Sequence, residues 1–190
     1  MIHHSFTKIP LFLLSVLLCA ILYSCSDQEP DNPQQVQNGN RKSPIAIASV
    51  KYDGTYIKVV YGQPYRRGQT VFGDLEPWGE VWRTGANEAT EITLTKTVLM
   101  GDQAIRPGTY ALFTIPEPDS FIVNHELGQW GAFNYKPERD YKRMKFPAYR
   151  LPIPVEAFTI DFTAPQQSMT TMTLRWDFVQ VDIPIRFYGE

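Results

Sequence analysis

The sequence MTTMTLRWDFVQVDIPIRF, residues 169–187, alternates apolar and polar residues and indicates the fold. Its first half places apolar side chains at even numbers up to Phe178, and its second half places them at odd numbers from Val179 onward. Because side chains alternate between the two faces of a strand, one regular strand cannot hold both sets in one core. The sequence therefore predicts a long strand with a bulge, a bend or a change of sheet between Phe178 and Val179.

The same period of two runs through the rest of the chain from residue 45 onward. Asp53-Gly54 is a strong hairpin turn signal, and residues 109–115 are largely apolar on both faces, which is typical of a strand buried on both faces or central in its sheet. No segment carries a sustained helical stripe, and 15 prolines and 12 glycines punctuate the sequence. The expected strands are residues 45–52, 56–61, 91–99, 109–115, 120–125, 157–162 and 169–187.

These patterns predict the fold class. Many short strands separated by turn signals indicate an all-β, antiparallel β-sandwich, either jelly-roll-like or a partly closed barrel. Little or no helix is expected outside the first 24 residues, because no later segment carries a sustained helical stripe.

The first 26 residues have the layout of a bacterial lipoprotein signal. Lys8 precedes an apolar run that ends at Tyr23, and Ser24 then precedes Cys25. The run is about 15 residues long, shorter than the roughly 20 that a membrane-spanning helix needs. We therefore expect residues 1–24 to be removed and Cys25 to carry the lipid. The expected location is the bacterial cell envelope, lipid-anchored at the outer membrane on its periplasmic or surface face.

Composition divides the remaining chain into a tether and a domain. Residues 26–44 contain no aromatic residue and only Val36 as a branched aliphatic, so they cannot bury enough surface to offset the entropy of ordering. We expect residues 25–44 to form a lipidated flexible tether and residues 45–190 to form one β-sandwich domain.

The charged and sulfur-containing residues exclude several functions. After residue 24, Cys25 is the only cysteine and His125 the only histidine, which excludes an intramolecular disulfide and a zinc site of several His or Cys ligands. The balance of 18 Lys and Arg against 20 Asp and Glu gives no argument for a nucleic-acid partner. We expect a monomer whose partners are the membrane, through the lipid on Cys25, and a small molecule or carbohydrate, with no cofactor, no metal and no catalytic residue.

Three sequence stretches carry a resemblance to a known family. GEVWRTGANEAT at residues 79–90, RPGTYALFTIP at 106–116 and GQWGAF at 128–133 are the distinctive runs. With them, residues 43–185 resemble the bacterial family called domain of unknown function 2911. The resemblance implies a secreted or lipid-anchored bacterial domain, common in the Bacteroidetes group, and it implies no activity.

The polar and aromatic stretch from residue 72 to residue 90 is the densest in chemistry. Flat apolar faces with a few convergent polar groups suit a sugar or another small polar ligand. The candidate ligand-binding residues are Trp78, Glu80, Trp82, Arg83, Asn87, Glu88 and Trp130.

Three other interpretations of this stretch stay open. In a scaffold, Arg83 and Glu88 would pair with each other and the tryptophans would fill the core. In a glycan-acting hydrolase, Glu80 and Glu88 would be the two carboxylates. The chain could also be a structural or protein-interaction domain in an envelope assembly.

Overall fold

The computed structural model describes residues 41–116, 120–124 and 135–188, with the backbone alone for residues 120–122. The strands alternate with turns that the sequence signals, as at Asp53-Gly54, where both residues adopt positive φ. One short 3₁₀ helix, Pro137–Arg139, precedes the eighth strand. The strands are β1 (Ile45–Tyr52), β2 (Thr55–Gly62), β3 (Thr90–Leu94), β4 (Val98–Met100), β5 (Gln103–Ile105), β6 (Gly108–Ile115), β7 (Ser120–Asn124), β8 (Asp140–Lys145), β9 (Ala148–Phe162) and β10 (Met169–Phe187).

The strands form two antiparallel sheets. One sheet has the order β1-β2-β3-β6-β7-β8, and the other has the order β5-β4-β10-β9. The sheets come together at both edges, since β1 lies beside β9 and β8 lies beside β5. The predicted all-β sandwich is confirmed. Within the described residues, no helix is long and apolar enough to cross a membrane.

The main core lies between the two sheets and is built from alternate residues of each strand. Ile57 and Val59 of β2 and Ile92 of β3 are fully buried in it. Strand β6 has a second buried face, because Ala111 and Phe113 pack on the outer side of their sheet. This outer cluster explains why residues 110–113 are all buried, and it confirms the prediction of a strand with two buried faces.

The core-facing side chains of β10 switch from even-numbered to odd-numbered residues at an irregularity in its pairing, as predicted. Trp176 is buried, and so are Ile183 and Ile185, whose numbers are odd. The pairing register with β9 shifts on both sides of Asp177, whose φ is 49°. The pairing irregularity is therefore centred on Asp177, just before the expected position, with the extra residues on β9, and Val181 is half-buried against the core.

One sequence expectation about strands is wrong. Residues 91–99 were expected to form one strand, but the chain turns after Leu94 and Val98 begins β4 in the other sheet. Residues 140–156 were not among the expected strands, and they form β8 and more than half of β9. Both strands carry charges or prolines, which are tolerated at sheet edges, and the two strands do lie at the edges of their sheets.

The segment just before β1 also contacts the domain. Arg41 pairs with Glu88, and Arg67 donates a hydrogen bond from Nη2 to the carbonyl of Lys42 at 2.9 Å. The carbonyl of Pro44 accepts a hydrogen bond from the backbone of Gln63 at 2.8 Å. Residues 41, 42 and 44 therefore contact the domain, although composition predicts that they belong to the tether.

Candidate functional site

The second half of the polar and aromatic stretch, residues 82–90, is part of the scaffold. Trp82 exchanges two backbone hydrogen bonds with Thr114, and its indole Nε1 donates to the carbonyl of Gly85 at 3.0 Å. The Trp82 ring stacks on Trp176 with their centroids 5.6 Å apart. Only 5% of Trp82 is exposed. This tryptophan therefore fills the core, and it is not available to a ligand.

The first half of the stretch, residues 71–80, points Trp78 outward. Trp78 is 49% exposed, and its ring stacks on Phe72 at 5.7 Å between centroids. A Cβ at Gly73 would lie 2.7 Å from the indole Nε1, and the φ of Gly73 is 99°. Glycine at this position therefore provides both the backbone conformation and the space that let the indole lie across the loop.

Trp78 forms one wall of a concavity that we call the Trp78 cleft. The cleft holds about 310 Å³, close to the lower end of the roughly 300–1,000 Å³ of small-molecule sites. Its residues come from the 66–78 loop, from the bulge of β10 and from β9. They are Arg66, Thr70, Phe72, Trp78, Arg150, Asp177, Phe178 and Val179.

The irregular pairing of β9 with β10 supplies the floor of the Trp78 cleft. Across this point β9 advances from Val155 to Arg150 while β10 advances only from Asp177 to Val179. The mismatch interrupts regular pairing, and it leaves Phe178 half-buried where a regular strand would turn it fully inward or outward. The feature that sets the parity of β10 therefore also opens the cleft.

The charges of the Trp78 cleft are arranged around Phe178 and Asp177. Asp177 is buried, accepts a hydrogen bond from the backbone of Val71 at 3.3 Å, and lies 3.2 Å from Arg66 Nε in an ion pair. The guanidinium carbons of Arg66 and Arg150 lie 5.8 and 4.8 Å from the centroid of the Phe178 ring. Two arginines therefore lie near one aromatic ring, and one of them is also paired with Asp177.

Glu76 lies in the loop that carries the aromatic wall. Its backbone N–H donates a hydrogen bond to the carbonyl of Val71, and its carbonyl accepts one from the backbone N–H of Gly73, both at 2.9 Å. Burial raises the pKa of the Glu76 carboxyl to about 7, although the nearby charge of Arg83 acts in the opposite direction. This carboxyl therefore changes its charge near neutral pH, next to the segment that presents Trp78.

The expected ion pair between Arg83 and Glu88 is wrong. Both oxygens of Glu88 accept hydrogen bonds from Arg41, one of them at 3.1 Å, while Arg83 donates to the carbonyl of Asn87 at 3.3 Å. Asn87 adopts a φ of 66°, so the turn through residues 84–87 directs the two side chains apart. Sequence spacing did not reveal Arg41 as the partner, because it lies 47 residues away.

Glu88 is poorly suited to act as a general acid. Burial raises the pKa of its carboxyl, but the hydrogen bonds from Arg41 and from the backbone outweigh burial and lower the pKa overall. A glycosidase acid needs a raised pKa. Glu88 lines a separate pocket of about 170 Å³ together with Glu91, whereas Glu80 is exposed. The structure thus gives no support to the pairing of Glu80 with Glu88 as hydrolytic carboxylates.

Of the six predicted ligand residues that the structure describes, only Trp78 lines the Trp78 cleft. Trp82 is buried, Arg83 and Asn87 belong to the scaffold turn, and Trp130 lies outside the described residues, as do His125 and Cys25. The sequence analysis missed Arg66, Arg150 and Phe178. The parity change at residues 178–179 was the available signal, because a bulge beside an aromatic residue often re-aims side chains. Over the part of the chain that the structure describes, no three His, Cys, Asp or Glu side chains are grouped to hold a metal ion.

Comparison with known proteins places the domain in a family. The model of the family described as "Protein of unknown function (DUF2911)" matches residues 43–185 of the 190. No curated protein and no solved structure matches the chain. The match covers most of the chain, including both sheets and the Trp78 cleft, and it agrees with the resemblance of the three distinctive runs. The chain therefore belongs to the DUF2911 family.

Proposed function

We propose that this chain is a non-catalytic binding module that holds a small polar ligand, such as a carbohydrate, in the Trp78 cleft. The observation that carries the proposal is the half-exposed Trp78, which stacks on Phe72 beside a concavity with two arginines. An indole in this position contributes little to the core, and its open face offers apolar contact to one side of a ring.

The construction of the cleft supports this proposal. Phe72 contacts the rings of Trp82 and Trp176 edge-on, at 5.9 and 6.1 Å between centroids. Phe72, on which Trp78 stacks, is thus continuous with the aromatic core. The core holds the Phe72 ring in place and leaves the outer face of Trp78 exposed. Pre-ordered surfaces of this kind lose little conformational entropy when a ligand binds.

The polar groups of the cleft are also held in advance. Asp177 is a charged residue in a backbone conformation that few non-glycine residues adopt, and it orients Arg66 through their ion pair. A few fixed polar groups beside an apolar surface are the usual composition of a small-ligand site. Catalysis is not part of the proposal, because Glu88 is ion-paired elsewhere and Glu80 is exposed.

The test is a binding screen with a matched pair of aromatic variants. A panel of mono- and oligosaccharides and small polar metabolites is titrated into the purified chain, and tryptophan fluorescence and calorimetry report binding. We expect Trp78→Ala to abolish binding of any hit while the melting temperature changes little. Tyr56→Ala removes another exposed aromatic ring, on β2, and should bind as the wild type does. Hits that survive Trp78→Ala would contradict the proposal, as would a panel without hits.

We further propose that the module works as a lipoprotein of the bacterial cell envelope, attached through Cys25. The support is the signal layout of residues 8–25, a basic residue and an apolar run followed by a small residue and a cysteine. Metabolic labelling with a fatty acid should mark the wild type and fail for Cys25→Ala. Equal labelling of the two would overturn the proposed attachment and leave the binding proposal untouched.

A further inference from the structure

Arg150 is the group of the Trp78 cleft whose charge is not balanced within the cleft. Arg66 shares its charge with Asp177, the acidic side chain among the lining residues. Arg150 is exposed, and its guanidinium carbon lies 4.8 Å from the centroid of the Phe178 ring; across the described residues no carboxylate forms an ion pair with it. The lining therefore carries two positive charges and one negative charge, a formal excess of one positive charge.

The contact with Phe178 does not occupy all the hydrogen-bond donors of Arg150. A cation near an aromatic ring is attracted by the ring's electrons, and a guanidinium has five N–H donors in a planar fork, more than one ring can occupy. Those donors match the two oxygens of a carboxylate in a bidentate arrangement. The pairing register places Arg150 directly opposite Val179, at the bulge that forms the cleft floor, so the donors lie at the cleft and not on a remote surface.

Trp78 and Arg150 line the same cavity of about 310 Å³. Its size suits one compact ligand rather than a broad macromolecular surface. The indole face of Trp78 favours a ligand with a flat or ring-shaped apolar face. The guanidinium of Arg150, which has no acidic partner in the cleft, favours an anionic group attached to that ring.

We propose that the Trp78 cleft selects ligands that bear a carboxylate on a ring, with the ring against Trp78 and the carboxylate on Arg150. This inference rests on the proposed binding function and names its ligand class. Two kinds of molecule share this chemistry, an acidic sugar and an aromatic carboxylic acid.

The experiment uses two pairs of probes that differ only in the acid group. Glucuronate and glucose differ by a carboxylate in place of a hydroxymethyl group, and benzoate and benzyl alcohol differ in the same way. Each probe is titrated calorimetrically into the wild-type chain and into Arg150→Gln, which loses the charge, and Arg150→Lys, which keeps it without the planar fork. Arg186→Gln is the control, since it removes an exposed arginine at the far end of β10. Thermal melts confirm that each variant is folded.

In at least one pair we expect the acid to bind roughly tenfold or more tightly than its neutral partner, because hydrogen bonds to charged groups are the stronger ones. Arg150→Gln should remove this difference, Arg150→Lys should reduce it, and Arg186→Gln should leave it unchanged. The pair that shows the difference identifies the source as a sugar acid or an aromatic acid.

Other outcomes overturn the inference and are separable from failure of the proposed function. If acid and neutral probes bind equally, or if the difference persists in Arg150→Gln, the carboxylate selection is wrong while Trp78-dependent binding stands. If none of the four binds at about 10 mM, which corresponds to a very weak affinity, the selection is also wrong. The proposed function is then decided by the broader panel and Trp78→Ala.

Discussion

Trp78 and Trp82 lie four residues apart in one loop, and the structure gives them opposite surroundings. Trp78 is half-exposed on the segment 71–80, while Trp82 is buried on the segment 82–90. The outer segment, residues 71–80, forms a local turn through backbone bonds among Val71, Gly73 and Glu76, and it is joined to the residue after β6 by a bond from Gly79 to the carbonyl of Pro116. The inner segment is bonded to β6 and to the end of β2. The difference shows that the exposure of a tryptophan in this loop depends on the hydrogen bonds that its segment makes to neighbouring strands, and not on the composition of the segment.

The inner segment also fits tightly against its neighbours. Ala86 donates a hydrogen bond to the carbonyl of Gly62 at 3.0 Å, and the hydroxyl of Thr90 donates to the carbonyl of Thr84 at 2.6 Å. Thr84 is completely buried. The turn at residues 84–87 is therefore closely packed against β2 and β3, whereas the Trp78 cleft of the proposed function lies at the outer segment.

The largest effect should come from adding one methyl group to the contact between β2 and the inner segment. A Cβ at Gly62 would lie 2.0 Å from the carbonyl oxygen of Ala86. The atoms it would meet are backbone atoms of Ala86, which cannot move aside as a flexible side chain would. We expect Gly62→Ala to destabilise the domain by more than about 3 kcal/mol, beyond the usual cost of overpacking, as measured by denaturant unfolding. Gly68→Ala is the control, since no atom lies within 4 Å of its Cβ, although its positive φ costs about 1 kcal/mol. Similar losses in both variants would contradict the close packing.

The two tryptophans themselves should separate stability from binding. Trp82→Ala leaves a cavity between Phe158 and Trp176 and should cost about 3–5 kcal/mol. Trp78→Ala loses a stacking contact and should cost about 1 kcal/mol. Chemical denaturation of the two variants under one set of conditions gives the comparison. Equal costs would mean that the two segments do not differ as the structure indicates.

Glu76 should make the stability of the outer segment depend on pH. The pKa of its carboxyl is about 7 in the folded chain, against 4.5 as the ordinary value. A raised pKa stabilises the fold fully below about pH 4.5, and that stabilisation is lost as pH rises to about 7. For this half-buried group we expect a loss of about 1–3 kcal/mol, at 1.36 kcal/mol for each pKa unit. Glu76→Gln should remove this part of the pH dependence between pH 4.5 and 7. Parallel curves for wild type and variant would show that the carboxyl is not perturbed.

The smallest effect concerns the ion pair that joins the inner segment to the residues before β1. The Glu88 side chain is 39% exposed, so its pairing with Arg41 should contribute about 0.5–1 kcal/mol after solvent screening. A double-mutant cycle of Arg41→Ala and Glu88→Ala measures this coupling. The cycle of Arg83→Ala and Glu88→Ala should show none. Coupling in the second cycle alone would restore the pair that the sequence suggested.

Several elements were predictable because they depend on local patterns. The Asp53-Gly54 hairpin follows from turn chemistry, and the doubly buried β6 follows from apolar residues on both faces. The parity change in β10 predicted the bulge at Asp177. The break of residues 91–99 into β3 and β4 was not predictable in this way, because the alternation continues across a turn that only the second sheet explains.

The sequence by itself determined the all-β fold, the family and the existence of an irregularity near Phe178, because each depends on short-range periodicity or on a contiguous motif. Only the tertiary structure decided that Trp78 is half-exposed and Trp82 buried, that Glu88 pairs with Arg41, and that Arg66 and Arg150 both lie near the Phe178 ring. These arrangements join residues between about 30 and 110 positions apart in the chain. Contacts at such separations depend on strand register and sheet order, which local propensity does not encode.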